Sequence, residues 1–195
     1  MQELTERFAF AAQWAAELHR DHFRKGTGIP YVSHLFAVAS LVLEDGGGED
    51  EAIGALLHDA VEDDKTSLDA IRARFGTEVA DIVEACSDSS GSPKPPWRDR
   101  KTKYIAYLRE PTTPKGALRV SNADKLHNAR SLLADYRDEG ENLWHRFNPD
   151  AQSADAQLWY YGELVDAFME LRPESRLANE LADTVERLRA AVDES

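Results

Sequence analysis

The residues best suited to chemistry sit together in Ala55-Leu56-Leu57-His58-Asp59-Ala60-Val61-Glu62-Asp63-Asp64. An apolar run, Ile53 to Leu57, leads directly into a His-Asp pair, and further carboxylates begin three residues on. Read as one helix, His58 and Glu62 are four apart, as are Asp59 and Asp63, and Asp59 and Glu62 are three apart, so these side chains share a face. One imidazole and three carboxylates crowded beside a buried segment repel one another and resist burial. A bound cation removes that conflict, so the pattern points to a metal held by this helix.

His34 and Asp124 extend the set. With His58 and Asp59 they give two imidazoles and two carboxylates from three separate helices, which only a helical bundle brings together. Such a donor set suits Mn²⁺, Fe²⁺ or Zn²⁺ rather than the all-oxygen cage of calcium. A metal of this kind makes hydroxide available near neutral pH. Glu62 and Asp63, one turn beyond the His-Asp pair, would then reach a water as orienter or general base. The plainer alternatives are a satisfied polar histidine at a helix start for His34 and a solvated acidic helix end for Glu62 and Asp63. His19, His22, His127 and His145 read as surface or supporting residues.

The elements that must position these residues read as helices. Leu4 to Phe23 has apolar residues at helical spacing and ends at the loop Arg24-Lys25-Gly26-Thr27-Gly28-Ile29-Pro30, which carries two adjacent cations. A second helix starts near His34 and stops at Gly46-Gly47-Gly48; a third, from about Glu51 to Asp63, carries the motif. Thr66 and Thr77 are expected to cap the next two. Ser87 to Pro96 reads as a loop, and Lys94, Arg98, Arg100, Lys101 and Lys103 follow within ten positions. Helices are then expected to about Arg109, over Gly116 to Asp135, from Ser153 to Leu171, and through Leu177 to Leu188, with 140–152 irregular. No alternation long enough for a strand, no repeat and no linker is visible. The expectation is an all-α fold of seven to nine helices in one domain, 1–195.

Composition narrows the class. The 195-residue chain is 42% apolar and 30% charged, has one cysteine, Cys86, and carries a net charge of −13. No apolar run approaches the ~18 residues that span a membrane. Met1 to Arg7 shows no signal-peptide pattern, and a single cysteine fits a reducing compartment, so a cytoplasmic protein is expected. The acidity argues against a nucleic-acid binder. No feature of the sequence specifies an oligomeric state.

Taken together, Arg24-Lys25-Gly26 through Pro30-Tyr31-Val32-Ser33-His34, Leu57-His58-Asp59-Ala60-Val61-Glu62-Asp63, Phe75-Gly76-Thr77-Glu78 and Ala123-Asp124-Lys125-Leu126-His127-Asn128 resemble the HD superfamily of metal-dependent phosphohydrolases. The likeness is to stand-alone alarmone hydrolases related to RelA/SpoT enzymes, clear from Phe8 to Asp135 and weaker beyond. It implies an HD-type helical bundle with Mn²⁺ on His34, His58, Asp59 and Asp124. It also implies hydrolysis of the 3′-pyrophosphate of a (p)ppGpp-like nucleotide, with Glu62 and Asp63 activating water. In the same likeness Arg24 packs on the purine with Lys25 beside it, and Asn128 contacts the nucleotide. Ser121-Asn122 stand where Lys-Leu is usual. A polyanionic substrate on an acidic protein needs a local basic field, for which the Arg24-Lys25 loop and the Lys94–Lys103 cluster, Lys101 included, are the best sources. The base, guanine or adenine, stays open. So do a nucleotidase or phosphatase acting on 5′-monophosphates, dNTPs or NADPH, and a non-catalytic nucleotide sensor.

Overall fold

The computed structural model describes residues 3–87 and 95–194; Lys94 and most of the expected 87–96 loop lie outside them. Among the described residues there are nine α-helices and no strand: α1 (Glu6–Leu18), α2 (Val32–Glu44), α3 (Glu49–Leu57), α4 (Leu68–Phe75), α5 (Thr77–Cys86), α6 (Trp97–Leu108), α7 (Lys115–Glu139), α8 (Ala154–Leu171) and α9 (Arg176–Asp193). Two short 3₁₀ segments, Gly140–Arg146 and Pro149–Ala151, occupy the stretch expected to be irregular. The fold is all-α, as the sequence implies. No helix among the described residues is long and apolar enough to cross a membrane. The chain forms two compact units, Met1–Ser92 with Thr112–Asp124, and Pro93–Pro111 with Lys125–Ser195.

The first unit holds the site-bearing helices. Leu35, Val38 and Val42 of α2, Ile53, Leu56 and Leu57 of α3, and Val79 and Val83 of α5 are fully buried. Each contributes about 1.5–3 kcal/mol on leaving water. Helices α3 and α5 pack closely because position 54 is glycine: a Cβ there would lie 2.6 Å from Ile82 Cγ2. Charges pin the periphery. Arg7 of α1 reaches Glu49 at 3.2 Å, Asp50 at 2.8 Å and the Phe75 carbonyl at 2.8 Å. Arg119 of α7 pairs with Asp45 at 3.0 Å and with Glu51.

Three local expectations are corrected. The third helix ends at Leu57, not at Asp63, and residues 58–64 form a turn. The His58 ring Nδ1 lies 2.8 Å from the Ala55 carbonyl and takes up an acceptor the helix would use; Asp64 closes the turn at φ 55°. Ser67, not Thr66, caps α4, its hydroxyl accepting from the Ala70 N–H at 3.2 Å. Gly76 precedes α5 at φ 94°, a conformation a side chain disfavours, so Thr77 becomes the first helical residue rather than the cap. Ser153 caps α8 as expected.

In the second unit α8 and α9 pack together, and Trp97 meets Trp159 and Tyr160 edge-on, with ring centroids 5.9 and 5.7 Å away. Arg146 is engaged by Asp135 at 2.7 Å and by Glu139.

Asn122 of α7 is buried, and among the described residues neither its Oδ1 nor its Nδ2 meets a hydrogen-bond partner. A buried amide left so costs about 1–3 kcal/mol. Asn122→Leu, which keeps the branched shape, is therefore expected to raise stability by about that amount. Urea unfolding followed by circular dichroism checks this; an unchanged or lower midpoint refutes it.

Candidate functional site

Four side chains converge in the first unit. His34 projects from the first turn of α2, His58 caps the C-terminus of α3, Asp59 follows it, and Asp124 lies on α7. His34 Nε2 is 3.1 Å from Asp124 Oδ1 and 3.7 Å from Asp59 Oδ2. His58 Nε2 is 3.0 Å from Asp59 Oδ2 and 3.7 Å from Asp124 Oδ1. Both histidines and Asp124 are buried.

These separations fit a shared ion. Ligands about 2.1 Å from one metal lie roughly 3.0 Å apart when octahedral neighbours and roughly 3.4 Å apart in a tetrahedron. The donors are also oriented for one. With His58 Nδ1–H donating to the Ala55 carbonyl, the lone pair sits on Nε2, which is buried with no hydrogen-bond partner among the described residues. Burial alone would lower the His58 pKa, but Asp59 and Asp124 outweigh it and hold the imidazole well above its ordinary value. Burial lowers that of His34. Burial works against the Asp59 carboxylate, yet His58 holds it well below the usual range. Without a cation, this cluster depends on a proton to balance its carboxylates. A divalent ion would replace that proton with a larger charge on the same atoms.

Tyr31 supports the cluster, a role that sequence reading missed. Its hydroxyl donates to Asp59 Oδ2 at 2.5 Å, and burial together with the Asp59 charge raises its pKa strongly, so it remains a donor. The sequence signal for it is its place in Pro30-Tyr31-Val32-Ser33-His34, three residues before His34. Tyr31 belongs to a tightly closed loop. Its N–H donates to the His22 carbonyl at 2.8 Å, and the Arg24 N–H to the Ile29 carbonyl at 2.8 Å. Arg24 and Lys25 sit at the tip, half-buried and exposed respectively.

Glu62 and Asp63 lie in the turn after His58, both half-buried. The Asp63 N–H donates to the Asp59 carbonyl at 2.9 Å, keeping one helical turn although α3 has ended. Burial, and then the Asp59 charge, raise the Asp63 pKa. Such a carboxylate is a stronger base. Asp63 Oδ2 is 3.4 Å from His22 Nδ1, and His19 is buried beside it, so neither histidine is an ordinary surface residue.

Lys101 and Asn128 fall in the second unit. The Lys101 ammonium stands 5.0 Å from the centroid of the Tyr160 ring. Asn128 is half-buried on α7, one turn beyond Asp124. Of the other cations, Arg98 lies over Trp159 at 3.9 Å, Arg100 is buried with its Nε donating to the Pro95 carbonyl at 3.3 Å, and Lys103 is exposed.

Residues 11–148 match the HD domain family. Human guanosine-3′,5′-bis(diphosphate) 3′-pyrophosphohydrolase MESH1 is 38% identical over 125 residues, which make up 63% of this chain and 67% of that protein. A guanosine-3′,5′-bis(diphosphate) 3′-pyrophosphohydrolase of Aquifex aeolicus is 42% identical over 134 residues, 69% of this chain but 17% of that protein. A solved metazoan SpoT ortholog superposes with a TM-score of 0.73 over 98% of this chain and 99% of its own; at 24% identity it attests the fold. The chain belongs to the HD-domain family of metal-dependent phosphohydrolases.

Two outcomes are expected. His58→Ala and Asp124→Ala should each lose most of the parent's binding of a limiting divalent metal, measured by equilibrium dialysis; normal content in both refutes the ligand assignment. Tyr31→Phe should stay folded and weaken metal affinity by about 10–100-fold, as loss of a hydrogen bond to a ligand typically does. Unchanged affinity would remove Tyr31 from the site.

Proposed function

We propose that this protein is a Mn²⁺-dependent alarmone hydrolase that removes the 3′-pyrophosphate of (p)ppGpp or (p)ppApp. The observation that carries the reading is the convergence of His34, His58, Asp59 and Asp124 with the Glu62–Asp63 turn directly after it. The substrate class comes from relatives named for 3′-pyrophosphohydrolysis of guanosine-3′,5′-bis(diphosphate).

The metal supplies charge that acidifies water and offsets phosphate charge. The chain's own groups do the rest. Asp63 takes the proton of the attacking water, and Glu62 orients that water. The water oxygen adds to the phosphorus next to the ribose 3′ oxygen, the P–O3′ bond breaks, and the 3′ oxygen takes up a proton as pyrophosphate leaves. Arg24 stacks on the purine, a contact that suits guanine and adenine alike. Lys25, beside it, serves the phosphates.

The test is turnover with Mn²⁺ on ppGpp and ppApp, with NADPH and a 5′-monophosphate alongside and products separated by chromatography. Pyrophosphate release from an alarmone is expected. Orthophosphate release from NADPH or the monophosphate alone would move the protein to another phosphatase class. Glu62→Gln and Asp63→Asn should lower kcat by about 10²–10⁴-fold while metal content holds. Arg24→Ala should chiefly raise KM; a pure loss of kcat would contradict stacking.

A further inference from the structure

A second group of metal-type donors lies outside the four-residue cluster. We propose that His19 Nδ1, His22 Nδ1 and Asp63 Oδ2 form a separate divalent-cation site, suited to an imidazole-preferring ion such as Zn²⁺. The two Nδ1 atoms are 3.1 Å apart, and Asp63 Oδ2 is 3.4 Å from that of His22 and 4.0 Å from that of His19. Ligands of a tetrahedral zinc, bound at about 2.0–2.1 Å, lie roughly 3.3–3.4 Å apart. The three spacings bracket that figure, much as those of the first cluster do.

The donors are held rather than gathered by chance. The His19 and His22 rings are 19° from parallel and both pack on Tyr31, with centroids 5.3 and 4.1 Å away. Backbone bonds lock their turn: the His22 N–H donates to the His19 carbonyl at 3.1 Å, and the Tyr31 N–H to that of His22 at 2.8 Å. The Asp63 oxygen facing them is itself buried with no hydrogen-bond partner among the described residues. Burial, then the nearby His22, push the His19 pKa down to about 4, so its ring is neutral and keeps a lone pair to give. Among neighbouring charges, Lys65 and His58 oppose a cation here, whereas Asp59 and Glu62 favour one. His22 is half-buried and opens the site to solvent.

Without an ion, one proton shared between the two Nδ1 atoms accounts for their contact. An incoming cation moves that proton to its own ring's Nε2, leaving both Nδ1 lone pairs on the ion, and binding weakens on acidification because protons compete for the imidazoles. The ion would also occupy the Asp63 oxygen assigned above to proton transfer. Inhibition by the second ion therefore rests on that assignment; the site itself does not.

The test counts zinc per chain after dialysis against buffered excess Zn²⁺, in the parent and in His22→Gln, with circular dichroism checking the fold. Two ions in the parent and one in the variant are expected. One ion in the parent, or two in both, overturns the site. Independently of any variant, ¹⁵N spectra of the parent should show the second zinc equivalent shifting the Nδ1 resonances of His19 and His22; no shift there also overturns it. Pyrophosphate release is then followed against excess zinc, which displaces the first ion equally in both proteins. Stronger inhibition of the parent is expected. Two ions in the parent with equal inhibition would keep the site and overturn the assignment of Asp63 as proton acceptor.

Discussion

The conflict at the centre of this molecule is the placing of two carboxylates, the buried Asp124 and the half-buried Asp59, against two buried imidazoles in a region packed with leucine, isoleucine and valine. Carboxylates taken from water without compensation are costly enough to protonate or to unfold their surroundings. Compensation here is geometric. One oxygen of each carboxylate faces two imidazole nitrogens at 3.0–3.7 Å, and Tyr31 donates a hydrogen bond to Asp59. Much of the first unit serves to keep those atoms in place. Arg119 ties α7, which carries Asp124, to Asp45 after α2 and to Glu51 of α3. Gly54 lets α3 settle against α5, setting the level at which His58 emerges.

The turn after α3 follows from the same demand. A helix continued through Asp63 would retain the Ala55 carbonyl for its own ladder; here His58 Nδ1 takes it, and the lone pair on the opposite nitrogen is thereby directed into the cluster. Ending the helix also gives Asp59 and Asp63 different surroundings. Asp59 is held low by His58, whereas Asp63 is raised by partial burial and by Asp59 itself. Two carboxylates four residues apart thus acquire opposite tendencies, one suited to staying charged and the other to exchanging a proton.

The residue types of the cluster were legible in the sequence because a His-Asp pair after an apolar run, followed by two acids, is hard to reconcile with burial unless a cation is involved. The helical frame inferred for it was not. Spacings of three and four describe a continued helix and a turn with one retained bond equally well, and the Asp63 N–H to Asp59 carbonyl bond is that shared feature. The all-α architecture, the Arg24 to Pro30 loop and the Ser153 cap were readable from periodicity and turn chemistry, whereas the end of α1 at Leu18, five residues before the expected Phe23, was not. The caps of α4 and α5 were not, since Thr66 and Ser67 are equivalent cap candidates by type, and only backbone geometry decides between them or favours Gly76 over Thr77. His19 and His22 stayed hidden for a related reason. They lie past the last apolar position of α1, where periodicity has nothing to say, and their partner Asp63 is more than forty residues away along the chain.

The loop from His22 to Tyr31 is closed at its base by the Tyr31-to-His22 bond, midway by the Arg24-to-Ile29 bond, and at its tip by the Thr27 N–H donating to the Arg24 carbonyl at 3.0 Å. Most of its conformational entropy is therefore surrendered when the protein folds, not when an anion arrives. The Arg24 and Lys25 backbone is a fixed platform that carries their two side chains. In the proposed role it is closer to a doorpost than to a door: any adjustment falls to the side chains, on the timescale of rotamer changes rather than of loop opening.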